Sequence, residues 1–173
     1  MRITGGSLKG QRLPGGFASH VRPTTDFVRE ALMNMLQHRI DLSEATVLDL
    51  FSGSGIMALE FISRGATAVL SVDLDHKNIR HQQAIRAEKG LNNWTVMKNN
   101  VFKVLQTTEP VYDIIFADPP YDLTNINQLP ALAVKALKPE GLFILEHRPG
   151  IEFQPAAAET RLYGSSAISV FIP

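Results

Sequence analysis

The chain alternates short apolar runs with stretches of helical spacing, and this alternation limits its fold more than any other feature. Apolar runs at 46–50 and 68–72 are each followed by a helical pattern, and a glycine stands where each helix should end, at Gly65 and Gly90. Glycine readily adopts the left-handed conformation that commonly ends a helix, so both helices should stop there. Strands joined by such helical crossovers form a mostly parallel sheet with helices on both faces.

The remaining apolar runs extend this pattern to the end of the chain. Strands are predicted at 94–97, 113–117 and 142–146, helices at 27–40, 101–106 and 129–137, and a turn at 139–141. The strand-like runs 160–163 and 167–172 are separated by only three residues. That spacing is too short for a parallel crossover and suits a hairpin. The prediction is therefore an α/β fold with a doubly wound, mostly parallel, seven-stranded sheet and an antiparallel C-terminal hairpin.

Length and composition favour one globular unit. With 173 residues and 45% apolar content, the chain suits a single domain over 1–173, made of a basic N-terminal arm at 1–25 and a catalytic core at 26–173. The sequence has no apolar run near the roughly 20 residues of a membrane span, and no apolar signal core. We expect a cytoplasmic, monomeric protein without membrane contact. With no cysteine and no paired histidine spacing, we expect no metal site.

The basic charge is concentrated at the front of the chain. Residues 1–23 contain Arg2, Lys9, Arg12 and Arg22 and no acidic residue, whereas the other 150 residues carry 13 basic and 17 acidic side chains. Interleaved glycines indicate an arm or hairpin that could follow a phosphate backbone. A solvated, flexible terminus explains the same stretch equally well.

A glycine-rich turn follows the first predicted strand, where open α/β sheets bind nucleotide-like ligands. Gly53 and Gly55 would let the backbone approach a ligand, and Asp49 at the strand end could accept from a charged amine. The third glycine that cradles a pyrophosphate in dinucleotide-binding proteins is missing, so a ligand without phosphates fits better. Asp73 ends the second strand, where a carboxylate can bind both ribose hydroxyls, while Asp75 is expected to cap the next helix.

The tetrad Asp118-Pro119-Pro120-Tyr121 follows the fourth predicted strand. Two prolines restrict the backbone, so the Asp118 carboxylate and the Pro119 carbonyl would form a rigid pair of acceptors for an exocyclic amine. Tyr121 would supply a flat face for a base, and such stacking is worth about 1 to 3 kcal/mol. Alone, the tetrad is equally well explained as a Pro-rich turn. Its expected place beside Asp49 and Asp73, along the carboxyl edge of one sheet, favours a methyltransferase.

These motifs resemble those of the class I S-adenosylmethionine-dependent methyltransferases. The run 47–55, with Phe51 and Ser54, is similar to their first motif, Asp73 to their ribose-binding acid, and 118–121 to the tetrad of members that methylate exocyclic amines. The resemblance implies that S-adenosyl-L-methionine is the methyl donor. It also implies that Asn100 contacts the adenine amine of the cofactor, where other members often have an acid.

Within that class the chain resembles the RsmD-type bacterial 16S rRNA guanine-N2 methyltransferases. The similarity extends over nearly the whole chain and includes the motifs at 9–13, 22–24, 28–32 and 146–147. It implies methylation of one guanine of 16S rRNA, within the small ribosomal subunit or an assembly intermediate. The arm would contact RNA, with Arg2, Lys9, Arg12, Arg22 and Thr24 as candidate substrate-binding residues.

Three other functions remain open. An adenine-N6 methyltransferase of DNA or RNA would use the same tetrad, although such DNA enzymes usually carry a separate recognition domain. A catalytically silent, RNA-binding assembly factor is disfavoured by Asp118 and the glycine turn. A nicotinamide-dependent oxidoreductase is disfavoured by the missing third glycine. Glu146 and His147 end the fifth strand near the same edge and are left outside the catalytic set.

Overall fold

A computed structural model describes residues 1–15 and 25–173, and it contains one seven-stranded sheet. The strands are β1 (Thr46–Leu50), β2 (Ala68–Asp73), β3 (Trp94–Lys98), β4 (Tyr112–Ala117), β5 (Leu137–His147), β6 (Glu159–Tyr163) and β7 (Ser166–Phe171). Their spatial order is β3-β2-β1-β4-β5-β7-β6. The first five run parallel, and β7 pairs antiparallel with both β5 and β6. The predicted doubly wound sheet and its antiparallel hairpin are confirmed.

Within residues 1–15 and 25–173, five α-helices cover the two faces of this sheet. They are α1 (Asp26–Gln37), α2 (Ile56–Ser63), α3 (His76–Lys89), α4 (Val101–Thr107) and α5 (Leu129–Ala133). The Thr25 hydroxyl begins α1 by accepting a hydrogen bond from the Val28 N–H at 3.3 Å, as its N-cap position predicts. The predicted helix stops at Gly65 and Gly90 are confirmed, since both glycines are left-handed, with φ of 99° and 64°. In the described ranges, no helix is long and apolar enough to cross a membrane.

Side chains of alternate residues in the central strands pack into two separate apolar layers, one on each face of the sheet. Val47, Ile114 and Phe116 pack with α1, α2 and α3 on one face. Leu48 and Ile115 pack with α4 and α5 on the other. Because both faces of the central strands are covered, these strands are almost continuously apolar. Because both faces are covered, a ligand can reach the central strands only at their ends.

The structure corrects the prediction for 129–141. Helix α5 ends at Ala133, a 3₁₀ turn follows at Val134–Ala136, and Leu137 already pairs with Tyr112 in the sheet. The register then shifts, so the predicted turn at 139–141 is a bulge inside β5. A Cβ at Gly141 would lie 3.0 Å from the Tyr112 carbonyl oxygen, so glycine permits this close approach.

The N-terminal arm forms a hairpin that docks on α2. Arg2 and Arg12 form an antiparallel bridge, and the Ser7 N–H donates to the Ser63 carbonyl oxygen at 2.7 Å. Gly6 lies against the same carbonyl with a φ of +75°, and a Cβ there would sit 1.8 Å from that oxygen. Only glycine fits this position without displacement. The predicted hairpin is thus packed against the core along one side.

A buried ion network joins this hairpin to two helices. Arg29 of α1 and Glu60 of α2 are fully buried and form an ion pair, with 3.3 Å between Nε and Oε1. Arg29 also donates to the Arg2 carbonyl oxygen at 2.7 Å, and Glu60 accepts from the Thr4 N–H at 2.9 Å. Arg64 forms a second ion pair with Glu60. Since buried charges require partners, each of these groups depends on the others for its position.

Candidate active site at the carboxyl edge of the sheet

Three neighbouring strands end together at the carboxyl edge. Leu50 of β1 is in register with Val72 of β2 and with Ala117 of β4. The residues that follow these positions are therefore adjacent, and they include Asp73 and Asp118. The structure brings together the three predicted motifs in the crevice where open α/β sheets bind ligands.

Left-handed residues shape the turn between β1 and α2. Phe51, Gly53 and Gly55 have φ values of 56°, 50° and 79°. The Phe51 conformation is unfavourable for a residue with a side chain, and its ring packs against the apolar layer beneath. Ser52 anchors the turn to β2, because its N–H donates to the Val72 carbonyl oxygen at 3.1 Å. The turn is thus held from both sides, and its Ser54 is buried.

The space beside Gly55 is filled by protein. A Cβ at Gly55 would lie 2.9 Å from both Trp94 and Gln82. Gln82 also donates from Nε2 to the Ser52 hydroxyl and to the Gly53 carbonyl oxygen, both at 2.9 Å. The structure thus gives the missing side chain of Gly55 a packing role, and the close approach of its backbone to a ligand stays a prediction. Trp94 and Gln82 were missed, since no local motif marks two buried residues that lie far along the chain.

Asp73 binds the glycine turn with its carboxylate. Its Oδ2 accepts from the Gly53 N–H at 2.7 Å and from Asn78 Nδ2 at 3.2 Å, and its Oδ1 accepts from the Asp75 N–H at 2.7 Å. This half-buried carboxylate therefore organises the crevice as well as facing it. Asp75 caps α3 as predicted, with its side chain accepting from the Lys77 N–H at 2.7 Å.

Asp49 is a buried acid with an unsatisfied oxygen. Its side chain is opposite Ser71 in the parallel register, and it is 1% exposed. Burial raises the pKa of Asp49 to about 8, and the nearby charge of Asp73 adds to this, while hydrogen bonds from the Ala58 N–H and the Ser71 hydroxyl oppose it. Among the described residues, none donates a hydrogen bond to Asp49 Oδ2. This oxygen is therefore a ready acceptor for a cationic donor.

Trp94 orients the Ser71 hydroxyl, which is a hydrogen-bond partner of Asp49. The indole Nε1 of Trp94 donates to the Ser71 hydroxyl oxygen at 2.9 Å. Ser71 can then direct its own hydrogen to the Asp49 carboxyl. The orientation of Asp49 thus depends on a chain of buried hydrogen bonds that reaches back to β3.

Asn100 is the N-cap residue of α4. Its Oδ1 accepts from the Phe102 N–H at 2.9 Å and from the Lys103 N–H at 3.3 Å, which caps the start of α4. A carbonyl oxygen has two lone pairs, and both are engaged here. Asn100 therefore caps α4, and its predicted contact with the adenine amine of the cofactor stays a prediction.

The tetrad lies at the end of β4. Asp118 is half-buried, Pro119 is buried and Pro120 is exposed. The Pro120 carbonyl oxygen accepts from the Leu123 N–H at 3.0 Å, which closes a turn directly after the tetrad. The hydroxyl of Tyr121 lies 2.8 Å from the hydroxyl of Ser166. This bond ties the tetrad to the first residue of β7.

Arg148 lies against the tetrad and was not predicted. It follows β5 directly, and its Cζ lies over the Tyr121 ring, 5.1 Å from the ring centroid. This distance is within the range of a cation–π contact. Only the neighbouring Glu146-His147 pair gave any hint in the sequence that this strand end belongs to the site.

The predicted RNA-contacting residues are only partly described. Arg22 and Thr24 lie outside the described residues. Arg2 is 64% exposed in its side chain and pairs with Asp26 at 3.2 Å, and Lys9 and Arg12 are exposed on the hairpin. The hairpin also meets α3, where Lys89 Nζ donates to the Gln11 side chain at 2.6 Å. This contact places one more cation beside the hairpin.

Residues 1–171 match the family described as Conserved hypothetical protein 95. The chain belongs to this family. It is 32% identical over 148 residues to Ribosomal RNA small subunit methyltransferase D of Buchnera aphidicola subsp. Baizongia pistaciae, covering 84% of this chain and 75% of the relative. A solved structure described as "Putative methyltransferase yhhF from Escherichia coli" has a TM-score of 0.86 and 27% identity, and the match covers 99% of this chain and 97% of that one.

A more distant solved structure, "a putative methyltransferase complexed with SAH", shares the fold, with a TM-score of 0.67 at 18% identity over 87% of this chain and 50% of that one. Family membership confirms the resemblance to the RsmD-type methyltransferases. The structural likeness confirms the predicted Rossmann-like class I methyltransferase fold.

Proposed function

We propose that this protein transfers a methyl group from S-adenosylmethionine to the N2 amine of one guanine in small-subunit rRNA, acting as a cytoplasmic monomer. One observation carries the proposal. The unsatisfied Asp49 oxygen and the Asp118 tetrad lie at the ends of adjacent parallel strands, so an amine acceptor site adjoins a site for a cationic ligand. The family relatives named as rRNA methyltransferases support the choice of substrate.

The crevice residues fit this methyl donor. Asp49 Oδ2 would accept from the donor's ammonium group, which supplies the missing hydrogen bond. Asp73 would bind the ribose hydroxyls while it keeps its bond to the Gly53 N–H. When bound, the donor supplies an activated methyl group on a sulfonium. Because Gln82 and Trp94 hold the turn, these contacts are organised before any ligand arrives.

The tetrad would orient the target amine. The lone pair of an exocyclic guanine amine is delocalised into the ring, so the nitrogen must be held for in-line attack. The Asp118 carboxylate and the Pro119 carbonyl would accept its two hydrogens, and the carboxylate would hold the proton that nitrogen loses as it gains the methyl group. Tyr121 would stack against the base, fixed in place by its bond to Ser166.

The basic hairpin supports RNA as the substrate. Lys9 and Arg12 are exposed on the hairpin, and Lys89 of α3 lies beside it. The start of the hairpin lies next to the glycine turn between β1 and α2, because Met1 Sδ is 3.7 Å from the Ser54 hydroxyl. These cations would neutralise phosphates along a strand that leads toward the crevice.

An Asp118→Ala substitution tests the catalytic assignment. Removal of a positioned proton acceptor typically costs about 10²- to 10⁴-fold in rate. We expect a loss in that range for tritiated-methyl transfer to unmodified 16S rRNA or to 30S particles, with S-adenosylhomocysteine affinity within about threefold of wild type. Asp122→Ala is the matched control, because Asp122 is an exposed acid just beyond the tetrad. Turnover retained by Asp118→Ala would refute the assignment.

A further inference from the structure

We propose that Arg148 and Tyr121 form the two walls of a slot for the target base, with the planar guanidinium on one face of the base and the phenol ring on the other. The inference rests on the proposed function, since it concerns the same substrate. In the structure the guanidinium carbon of Arg148 lies over the Tyr121 ring, 5.1 Å from the ring centroid. Bases splayed out of RNA stack on aromatic rings and on arginine planes alike.

The Tyr121 wall is rigid. Its hydroxyl lies 2.8 Å from the Ser166 hydroxyl at the start of β7, which prevents the ring from swinging away from the sheet edge. Pro119 and Pro120 precede it and restrict the backbone that carries it. A base that enters the slot therefore meets a fixed surface on the tetrad side.

The backbone of Arg148 is held by a hydrogen bond, whereas its side chain is exposed. Its carbonyl oxygen lies 2.7 Å from His147 Nδ1, so that nitrogen must carry the hydrogen and donate it. His147 Nε2 then accepts from the Ser169 hydroxyl at 2.8 Å. Burial lowers the pKa of His147, which favours this neutral form. Residue 148 itself is exposed, so its side chain can rotate while the backbone stays in place.

The observed spacing is that of a closed slot. Atoms of stacked groups approach to about 3.5 Å, so a base between two planes needs about 7 Å in all. The perpendicular separation is at most the 5.1 Å between Cζ and the ring centroid, so the guanidinium must move away by at least about 2 Å to admit a base. The guanidinium carbon lies over a face of the ring that the base would use.

An Arg148→Lys substitution distinguishes stacking on the base from a charge contact with a phosphate. A lysine at 148 keeps the positive charge that a phosphate contact would need, but it lacks the planar surface that stacking needs. If Arg148 acts as a wall, both Arg148→Lys and Arg148→Ala should raise KM for rRNA by about 10-fold or more, within the range that base stacking supports. Affinity for S-adenosylhomocysteine should stay within twofold of wild type, because the cofactor crevice lies at the β1 and β2 ends.

The experiment measures kcat and KM for methyl transfer to 30S particles assembled on unmodified 16S rRNA. Arg161→Lys, on the edge strand β6, is the matched control and should behave as wild type. A Tyr121→Leu, Arg148→Ala double variant should lose less than the product of the two single losses, since each wall acts through the same base. Melting temperatures identify any variant that has failed to fold.

Two results would overturn the slot while the proposed function stands. Wild-type KM in Arg148→Lys would mean that the residue contacts phosphate, and wild-type KM in Arg148→Ala would mean that it contacts nothing of the substrate. In either case the wild-type enzyme still methylates rRNA. If the wild type itself transfers no methyl group to rRNA, the proposed function fails instead.

Discussion

Cofactor binding at Asp49 should release a proton at mildly acidic pH. The Asp49 carboxyl is buried and has a pKa raised to about 8, so it is largely protonated in the free protein below that value. An ammonium group next to Oδ2 would favour the ionised form, because an opposite charge at this distance lowers the pKa of an acid. The proton displaced by the ligand must then leave the site.

The expected amount follows from the pKa. At pH 6.5 a carboxyl with a pKa of about 8 is roughly 97% protonated, and an α-amino group with a pKa near 7.8 is roughly 95% charged. Pairing the two ions therefore releases about 0.9 proton per ligand bound. Asp49→Asn, which has nearly the same shape and does not titrate, should release close to none.

Calorimetry measures this number directly. S-adenosylhomocysteine is titrated into the protein at pH 6.5 in several buffers that differ in ionisation enthalpy, and the slope of the observed enthalpy against that quantity gives the protons released. Ser71→Ala is a useful companion, because it removes a hydrogen bond that opposes the raised pKa of Asp49 and should leave the release at about one proton. Tight binding by wild type with less than about 0.2 proton released would refute the reasoning, and so would equal release by Asp49→Asn.

Three further predictions concern the stability of the fold. Gly6→Ala should lower the melting temperature and expose the hairpin to trypsin, whereas Gly10→Ala, with similar φ and open space at its Cβ, should do much less. Glu60→Gln should lower the free energy of unfolding measured in urea, because Arg29 and Arg64 both lose the charge of Glu60 and the buried Arg29 keeps only its ion pair with Asp26. Folding raises the pKa of Asp49, so the stability of wild type relative to Asp49→Asn should fall as pH rises from about 4 to 8; parallel melting profiles of the two proteins over this range would contradict that expectation.

The alternation of apolar runs and helical patterns was sufficient to predict the sheet, because the helices after β1 and β2 each end at a local stop signal, Gly65 and Gly90. The prediction failed at 129–141, where α5 is only five residues long and Leu137 could continue a helix or start a strand. There, pairing with β4 overrides the local pattern.

The parts of the site that are formed by residues close together in the sequence could be predicted from it. Asp49, Asp73 and Asp118 each lie at or next to the carboxyl end of a parallel strand, so the topology alone places them together. The contacts between distant segments were not predictable. A sequence shows that residue 6 is glycine, but only the docked hairpin shows that the Ser63 carbonyl requires it. Likewise, Arg148 joins the site through the fold rather than through any motif.

The identity of the methylated nucleoside tests the central claim most directly. Unmodified 16S rRNA, free and assembled into 30S particles, is incubated with the enzyme and S-adenosylmethionine, digested to nucleosides and analysed by mass spectrometry. We predict one N2-methylguanosine per rRNA molecule with wild type and none with Asp118→Ala. N6-methyladenosine as the product, or no methylated nucleoside from either substrate, would contradict the account.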